Sequence, residues 1–508
     1  MATSKSNIVS PKVDSFSRRQ FLLGAGALGL SAAAYSALAT AIADAPGRAK
    51  AYAATQTLAP KPEQVFQPIP FPDTVQARIG HLFRRAGFGI TKQELAHFTS
   101  IGVDGAVDYL VEYQETDNRA VDFRLSALPV DMTRQQDMAQ WWMLRMAYTQ
   151  RPLEEKMTLF WHGLLTSSFA KAGQGMAMYD QNQMFRAHAL DTYDVILKAL
   201  ARDPAMLIYL DNRLNRRQAP NENFARELME LFTLGRGNYT EQDIRESARA
   251  FTGWGLDRDR KFLFMPQQHD SGVKTFLGRT GALNGDDIID VILQQPAAAR
   301  YIAGRLFSFF AYRDPSPKLL DRLAATFTAT RYSIKAVVRE IFYSEEFFSD
   351  QAYRALVKSP IELVVGMWRQ TGLDGDGRSL SGMASSMGQT ILNPPNVAGW
   401  AGGAAWINST TLLQRVNHAF NLSNQFAQRA LRDPQSAASL LLAATPEQLV
   451  DTLAAQLLDG NLPRDERTIL VQFVRNLDSA GGSSARRNPD RVGSVLYLLL
   501  ASPDYQLA

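Results

Sequence analysis

Apolar residues recur at three- and four-residue intervals along most of the chain after about residue 75. This spacing buries one stripe of each helix and predicts a mainly α-helical protein. No repeat of fixed period is visible and the connections are short, so we expect a single large helical domain over residues 74–508. The predicted helices are 75–115, 134–150, 153–168, 180–203, 220–234, 240–252, 285–311, 316–329, 333–347, 352–372, 409–432, 435–442, 445–458, 463–477 and 488–501.

One segment breaks the helical pattern. Phe262 and Phe264 alternate with their neighbours, and a proline and two glycines follow within the next fourteen positions. Alternation bounded by turn residues is typical of a short strand pair. We therefore expect a small irregular or β-hairpin insertion near residues 258–280.

The N-terminus carries an export signal. Two adjacent arginines, Arg18 and Arg19, stand before Phe21, and a stretch rich in Gly, Ala and Leu continues to about Ala43. A basic region, an apolar stretch and a small-residue exit are typical of a signal peptide, and the arginine pair resembles a twin-arginine leader. We expect residues 1–45 to be this signal peptide and residues 46–73 to be a linker. The mature protein is then periplasmic or secreted, has the twin-arginine export machinery as a partner, and has no stable membrane span after leader removal.

Composition excludes several kinds of chemistry. Cysteine is absent, which removes thiol nucleophiles, disulfides and Cys-based metal sites. The six histidines form no closely spaced pair, and 54 basic residues against 50 acidic ones leave a formal net charge of only +4. This balance gives no reason to expect nucleic acid as a partner.

The predicted helix 220–234 has two distinct faces. Phe224, Leu228 and Phe232 fall on one apolar stripe, whereas Glu222 and Glu230 lie with other charged residues on the opposite face. The charged face is either a solvated surface with i,i+4 ion pairs or the carboxylate-lined wall of a cleft.

The next helix leads into the irregular segment. Thr240 and Asp243 form a capping-box pattern at its start, and Trp254 stands just beyond its end, where it either packs in the core or stacks on a sugar ring. The irregular segment then brings His269, Asp270 and Lys274 together on a loop. Three polar side chains with such different pKa values on one loop are as consistent with a functional site as with a structural role.

At these residues the chain resembles a large bacterial family known as domain of unknown function 1800. The matching segments are 220–235, 239–241, 248–254, His269-Asp270 with 274–278, 393–397 with Gly399-Trp400 and Trp406-Ile407, and 81–89. The resemblance covers roughly residues 78–505 and implies an exported protein, often with a twin-arginine leader, but no established reaction. This chain departs from the family at one point. Members commonly have the sequence Trp-His-Asn-His-Phe where this chain has Trp-His-Gly-Leu-Leu at residues 161–165, so the second histidine is missing.

The leading hypothesis is a hydrolase that acts on an envelope or extracellular polysaccharide. Glycoside cleavage needs two carboxyl groups, one protonated as acid and one ionised as base or nucleophile. The catalytic candidates are Glu222, Glu227, Glu230, His269 and Asp270. The substrate-binding candidates are Asn221, Asn223, Arg226, Trp254, Lys274, Asn396 and Trp400.

Two other readings remain open. A metal-dependent enzyme would use His162, His269, Asp270 and a glutamate, although the missing histidine weakens this idea and we place no residue in a metal site. A non-catalytic binding or assembly module would use the same polar residues to lock a rigid scaffold. The sequence names no cofactor.

Overall fold

The computed structural model of the protein describes residues 70–173, 175–432, 444–479 and 484–508. These residues form a mainly α-helical fold, as the hydrophobic spacing predicts. The helices are, in chain order, α1 Val75–Ala86, α2 Lys92–Val111, α3 Arg119–Ser126, α4 Gln135–Tyr148, α5 Pro152–Leu164, α6 Phe169–Ala172, α7 Ala177–Ala187, α8 Tyr193–Arg202, α9 Pro204–Tyr209, α10 Asn223–Glu227 continuing as a π-helix over Leu228–Thr233, α11 Glu241–Ala250, α12 Gly285–Leu293, α13 Pro296–Phe310, α14 Pro317–Ala329, α15 Ile334–Tyr343, α16 Pro360–Thr371, α17 Arg378–Ser386, α18 Ser409–Arg432, α19 Pro446–Leu457, α20 Arg464–Ser479, α21 Ser484–Ala501 and α22 Pro503–Gln506.

The expected insertion is present as two small antiparallel hairpins. Strand β1 (Trp254–Leu256) pairs with β2 (Phe262–Phe264), and β3 (Lys274–Phe276) pairs with β4 (Arg279–Gly281). The first hairpin begins four residues earlier than predicted, because Trp254 lies in a strand opposite Phe264 rather than in a loop.

Two large apolar clusters form the core. The first is built mainly by α1, α2, α8, the π-helix and α11–α15, and the second by α4 and α16–α21. Helix α5 lies between them, since Met157 and Trp161 pack in the first cluster while Leu159 packs in the second. The chain segment just after α5 is therefore held against both halves of the core.

Several of the predicted helices are each divided into two helices in the structure. The segment 75–115 breaks between α1 and α2, where Gly89 has φ +87° and Thr91 caps the second helix with a full capping box. The segment 285–311 breaks before Pro296, which occupies the first turn of α13. Periodicity continues across such breaks because both helices bury the same side, so caps and prolines decide the boundary.

Other predictions fall outside the described residues or differ in detail. The signal peptide, most of the linker and the whole of the predicted helix 435–442 lie outside the described ranges, so they stay predictions. Helices α3 and α17 were not expected, and α16 begins at Pro360 rather than at residue 352. Within the described ranges, no helix combines the length and the apolar character needed to cross a bilayer.

Candidate functional site

The helix that carries the glutamates changes its winding midway. It is α-helical over Asn223–Glu227 and π-helical over Leu228–Thr233, with the amide of Leu234 donating to the carbonyl of Met229 at 2.9 Å. The helix begins at Asn223, three residues later than the predicted bounds 220–234. Gly235, with φ +73°, ends it as expected.

Tyrosine hydroxyls satisfy the carbonyls that the wider winding releases. Tyr193 donates to the Phe232 carbonyl at 2.5 Å, and Tyr301 donates to the Leu231 carbonyl. Both tyrosines come from other helices, so the π-turn is fixed by tertiary contacts. Single π-turns of this kind occur frequently at functional sites.

Glu227 and Glu230 lie on this irregular helix and have different surroundings. Glu230 forms an ion pair with Arg236 at 2.6 Å and accepts a hydrogen bond from the Tyr239 hydroxyl at 3.2 Å. Within the described ranges, no side chain forms an ion pair or a hydrogen bond with the half-buried Glu227 carboxylate. Burial and, after it, the charge of Glu230 raise the pKa of Glu227. The two carboxyl groups are therefore adjacent but electrostatically unlike.

Glu222 belongs to a separate surface ion-pair network. Arg226 binds Glu222 at 3.1 Å and Glu241, at the start of α11, at 2.9 Å. Both glutamates are substantially exposed, with 38% and 64% of their side chains accessible. These contacts tie the helix to α11, and an exposed network of this kind adds little stability.

Asp270 is engaged by an arginine of α11. Arg249 Nε lies 2.7 Å from one carboxylate oxygen of Asp270, and Glu246 binds the same guanidinium at 2.7 Å. The hydrogen bond from Arg249 is the largest of the effects that lower the pKa of Asp270. Asp270 is thus held as an anion in a structural position.

His269 and Lys274 fasten the same loop to its surroundings. His269 Nδ1 lies 2.8 Å from the carbonyl of Thr252, and its ring meets Phe264 edge-on. Lys274 is only 1% exposed, and its ammonium donates to the carbonyls of Asp270 at 2.6 Å and Gly272 at 3.0 Å. The loop from His269 to Lys274, which the sequence suggested as part of a catalytic site, is therefore held in place by hydrogen bonds and a ring contact.

Trp254 packs inside the fold. Its ring is 4% exposed, meets Phe251 and Phe262 edge-on, and has the Arg202 guanidinium 4.6 Å from its centroid. These contacts match the core-packing reading, whereas the exposed aromatic ring in this region is Phe264.

Asparagine side chains fix the loop that precedes the helix by hydrogen bonds to the backbone. The Asn215 side chain accepts from the amide of Asn221 at 2.9 Å, and the Asn221 side chain accepts from the amide of Asn223 at 3.0 Å. Asn215 also donates to the carbonyl of Ala248 at 2.8 Å, which joins the loop to α11.

The loop 393–400 packs against the end of α5. Thr166 Oγ1 donates to the carbonyl of Val397 at 2.6 Å, and Gly399 (φ +76°) approaches so closely that a Cβ there would lie 2.2 Å from the Gly163 carbonyl oxygen. Asn396 is exposed and accepts from the amide of Ala398 at 2.9 Å. Trp400 is half-buried with its ring edge-on to His162. The prolines of this loop thus hold a fixed surface next to α5, as expected from their sequence.

Tyr209 connects this loop to Glu227. The charge of Glu227 contributes to raising the pKa of Tyr209, after burial, and a hydrogen bond with Thr166 opposes the rise. Lys171 lies 5.8 Å from the Tyr209 ring centroid and forms an ion pair with Asp211 at 2.8 Å. Asp211 has the left-handed backbone conformation, with φ +59°, which is uncommon for a residue other than glycine. On the electrostatic effect of Glu227 on Tyr209 and the contact of Thr166 with Val397, we group Glu227, Tyr209, Thr166 and the loop 393–400 as one neighbourhood.

Some of the site residues predicted from the sequence lie in this neighbourhood, and others lie elsewhere in the fold. Glu227, Glu230, Asn396 and Trp400 lie in or beside it, while Glu222 and Arg226 face the start of α11. Within the part of the chain that the structure describes, no hydrogen bond, ion pair or ring contact joins Glu227 or Glu230 to His269 or Asp270. We take the residues around Glu227 as the candidate site.

The comparison with protein families agrees with the sequence resemblance. The sequence model of a family described as "Protein of unknown function (DUF1800)" matches residues 81–507, most of the chain. The chain belongs to the DUF1800 family. No curated protein and no solved structure is significantly similar to it. Membership confirms the resemblance but names no reaction.

The position where this DUF1800 member lacks the second histidine shows no metal-binding arrangement. His162 is buried, its Nε2 accepts the amide hydrogen of Leu392 at 3.2 Å, and burial lowers its pKa to about 4. Among the described residues, no three His, Asp or Glu side chains are grouped so that they could hold a metal ion.

Sequence reasoning missed four residues of the candidate site: Thr166, Lys171, Tyr209 and Asp211. Asp211 and Asn212 follow a helical segment, and such residues signal only a turn. The electrostatic effect of Glu227 on Tyr209 depends on the tertiary fold, since the two residues lie eighteen positions apart on different helices.

Proposed function

We propose that this chain is an exported hydrolase that cleaves an envelope or extracellular polysaccharide, with Glu227 as the general acid and Glu230 as its ionised partner. The observation that carries the proposal is the contrast between the two adjacent carboxyl groups: burial and a neighbouring charge raise the pKa of Glu227, whereas Arg236 and Tyr239 bind Glu230. Carboxyl pairs whose environments differ in this way perform acid and base roles in glycosidases.

The surroundings of Glu227 suit a sugar polymer. The half-buried Tyr209 lies beside it, and the exposed side chain of Asn396 and the half-buried ring of Trp400 belong to the adjoining loop. The buried Thr166 holds that loop by donating its hydroxyl hydrogen to the Val397 carbonyl. Sugar recognition uses hydrogen bonds to hydroxyls together with contact against an aromatic face. Tyr209, Asn396 and Trp400 would then hold the polymer across Glu227.

The test is a polysaccharide-cleavage screen on the mature protein, beginning at about residue 46. Reducing ends are measured on neutral, acidic and amino-sugar polymers for the wild type, Glu227→Gln and Glu222→Gln. We expect one polymer to be cleaved, with Glu227→Gln slower by about 10²–10⁴-fold and Glu222→Gln close to wild type. Glu222 is the matched control because it immediately precedes the same helix and forms an exposed ion pair.

A non-catalytic binding or assembly module is the second candidate. It is favoured by the arginine pairing of Glu222, Glu230 and Asp270, since ion-paired carboxylates also serve as a rigid scaffold. Folded protein that cleaves no polymer in the screen, yet binds one of them in a sedimentation assay, would establish this function and refute the hydrolase.

A further inference from the structure

A group of buried charged residues far from Glu227 in the sequence includes four that line a small cavity: Arg84, Lys358, Glu362 and Asp459. We call the whole group the basic cluster; its cations are Arg84, Arg85, Lys156, Arg354, Lys358 and Arg415, each 9% exposed or less. Three carboxylates accompany them: Glu362, Asp459 and Asp504. Cations therefore outnumber carboxylates two to one in a region removed from water.

Each carboxylate already has a cation as its partner. Asp459 binds Arg84 at 2.9 Å and accepts from the Tyr353 hydroxyl at 3.0 Å. Glu362 binds Lys156, and Asp504 lies 3.1 Å from Arg354. These pairs leave Arg85, Lys358 and Arg415 without a carboxylate among the described residues.

Two of these three cations are satisfied by neutral acceptors. Arg85 donates to the carbonyls of Phe310 at 2.7 Å and Phe309 at 2.8 Å. Arg415 donates to Gln506 Oε1 at 3.1 Å and to the Lys358 carbonyl at 2.9 Å. Each guanidinium therefore has neutral acceptors, although Arg415 Nε has no partner among the described residues and neither charge is neutralised.

Lys358 differs from both. Its Nζ lies 3.6 Å from the centroid of the Tyr505 ring, and no oxygen of the described residues accepts a hydrogen bond from it. The residue is 5% exposed and lines the cavity together with Arg84 and Gln370. Burial, followed by the charge of Arg84, lowers the pKa of Lys358, while Asp459 and Glu362 oppose that effect. An unpaired ammonium in such a place is strongly destabilising.

The cavity has the size of a small ion. Its volume is about 10 Å³, which is room for roughly one occupant of the size of a water molecule. Glycines form part of the wall, and at Gly80 a Cβ would lie 2.1 Å from Asp459 Oδ1, so side chains cannot be added there without closing the space. Phosphate, sulfate and carboxylate ligands are too large for it.

We propose that this cavity is a binding site for a single chloride ion, held between Lys358 and Arg84. The anion would accept a hydrogen bond from the Lys358 ammonium and would offset part of the excess positive charge. A water molecule fits the same volume but carries no charge, so electrostatics favours the anion. Each carboxylate on the wall is paired with a cation, Asp459 with Arg84 and Glu362 with Lys156, so the charge left for the anion at the wall is that of Lys358.

The test is the thermal unfolding of the full mature protein in sodium chloride, sodium bromide and sodium gluconate at equal ionic strength. We expect chloride and bromide, but not gluconate, to raise Tm in a saturable way, because a ligand bound only by the folded state stabilises it. Lys358→Met should abolish the halide-specific rise, whereas the control Lys198→Met, which removes a surface lysine paired with Asp290, should keep it. Equal halide responses in wild type and Lys358→Met would overturn the proposal.

A second measurement needs no variant and covers the case in which Lys358→Met does not fold. Crystals of the wild type grown in bromide should show an anomalous scattering peak between Lys358 and Arg84. Density at that position without an anomalous signal would identify the occupant as water and refute the anion site.

Discussion

The replacement Glu154→Gln should remove a large part of the pH dependence of stability. Glu154 lies in the first turn of α5 and is 6% exposed. Burial and then the charge of Glu155 raise its pKa to about 7 from an ordinary value of 4.5. Arg151 approaches to 3.5 Å without forming a hydrogen bond, so its attraction does not offset the loss of water.

The sign and size of this change in stability follow from the linkage between proton binding and folding. Because the pKa of this carboxyl is higher in the folded state, the protonated group favours folding at low pH, and that contribution is lost as pH rises through about 7. At about 1.4 kcal/mol for each tenfold change in proton affinity, the full loss is roughly 3 kcal/mol, of which ~2.5 kcal/mol falls between about pH 5 and pH 8. Glutamine cannot ionise, so the variant should not show this loss.

The assay is thermal unfolding of both proteins from about pH 5 to pH 8. With an unfolding entropy of ~2 cal/mol/K per residue over a family region of roughly 430 residues, ~2.5 kcal/mol corresponds to about 3 °C. The variant should therefore gain about 3 °C over the wild type as pH rises through this window. Asp203, whose pKa burial also raises to about 7, should leave a residual decline in both proteins.

The matched control is Glu115→Gln, which changes an exposed glutamate and should follow the wild-type curve throughout. Parallel curves for the wild type and Glu154→Gln would refute the reasoning, since they would mean that Glu154 ionises equally easily in the folded and unfolded chain.

Three further predictions concern other parts of the molecule. Glu155→Gln should lower the free energy of unfolding by about 3–5 kcal/mol in denaturant titrations, because it leaves Arg145 and Arg186 buried without their shared carboxylate. Gly399→Ala should lower the free energy of unfolding by at least ~2 kcal/mol, because φ is positive there and the new Cβ would contact the Gly163 carbonyl. The control is Gly382→Ala, where a Cβ meets open space, and this change should leave the free energy of unfolding equal or higher. Equal losses of stability in the two variants would contradict this account. If Glu227 is the general acid, cleavage should decline as pH rises through its raised pKa, and a rate that increases with pH over that range would assign it a different role.

The parts of the fold that local patterns determine could be predicted from the sequence. The capping box at Thr240 and Asp243 is present, and Ile244 and Ala248 are buried on the face that the spacing indicates. Gly235 ends its helix because the chain needs a positive φ there. Each of these features is decided by residues within a few positions of one another.

The site could be predicted only in part because charge pairing is a tertiary property. Glu222, Glu227 and Asp270 are the same kind of side chain in the sequence, yet Arg226 and Arg249 bind the first and the last, and no side chain of the described residues pairs with Glu227. The Asp270 partner lies twenty-one positions away on α11. The π-turn was likewise invisible, since its tyrosine partners come from α8 and α13.

The π-turn over Leu228–Thr233 makes the length of this segment as important as its composition. Removing one residue would let the segment wind as an ordinary α-helix and would rotate everything after it by about 100°. Gly235 would then leave its turn, and the carbonyls that accept from Tyr193 and Tyr301 would be drawn back into the helix. In aligned members of the family, a one-residue gap here should therefore coincide with loss of the tyrosines at both positions, whereas gap-free members should retain a hydroxyl at each.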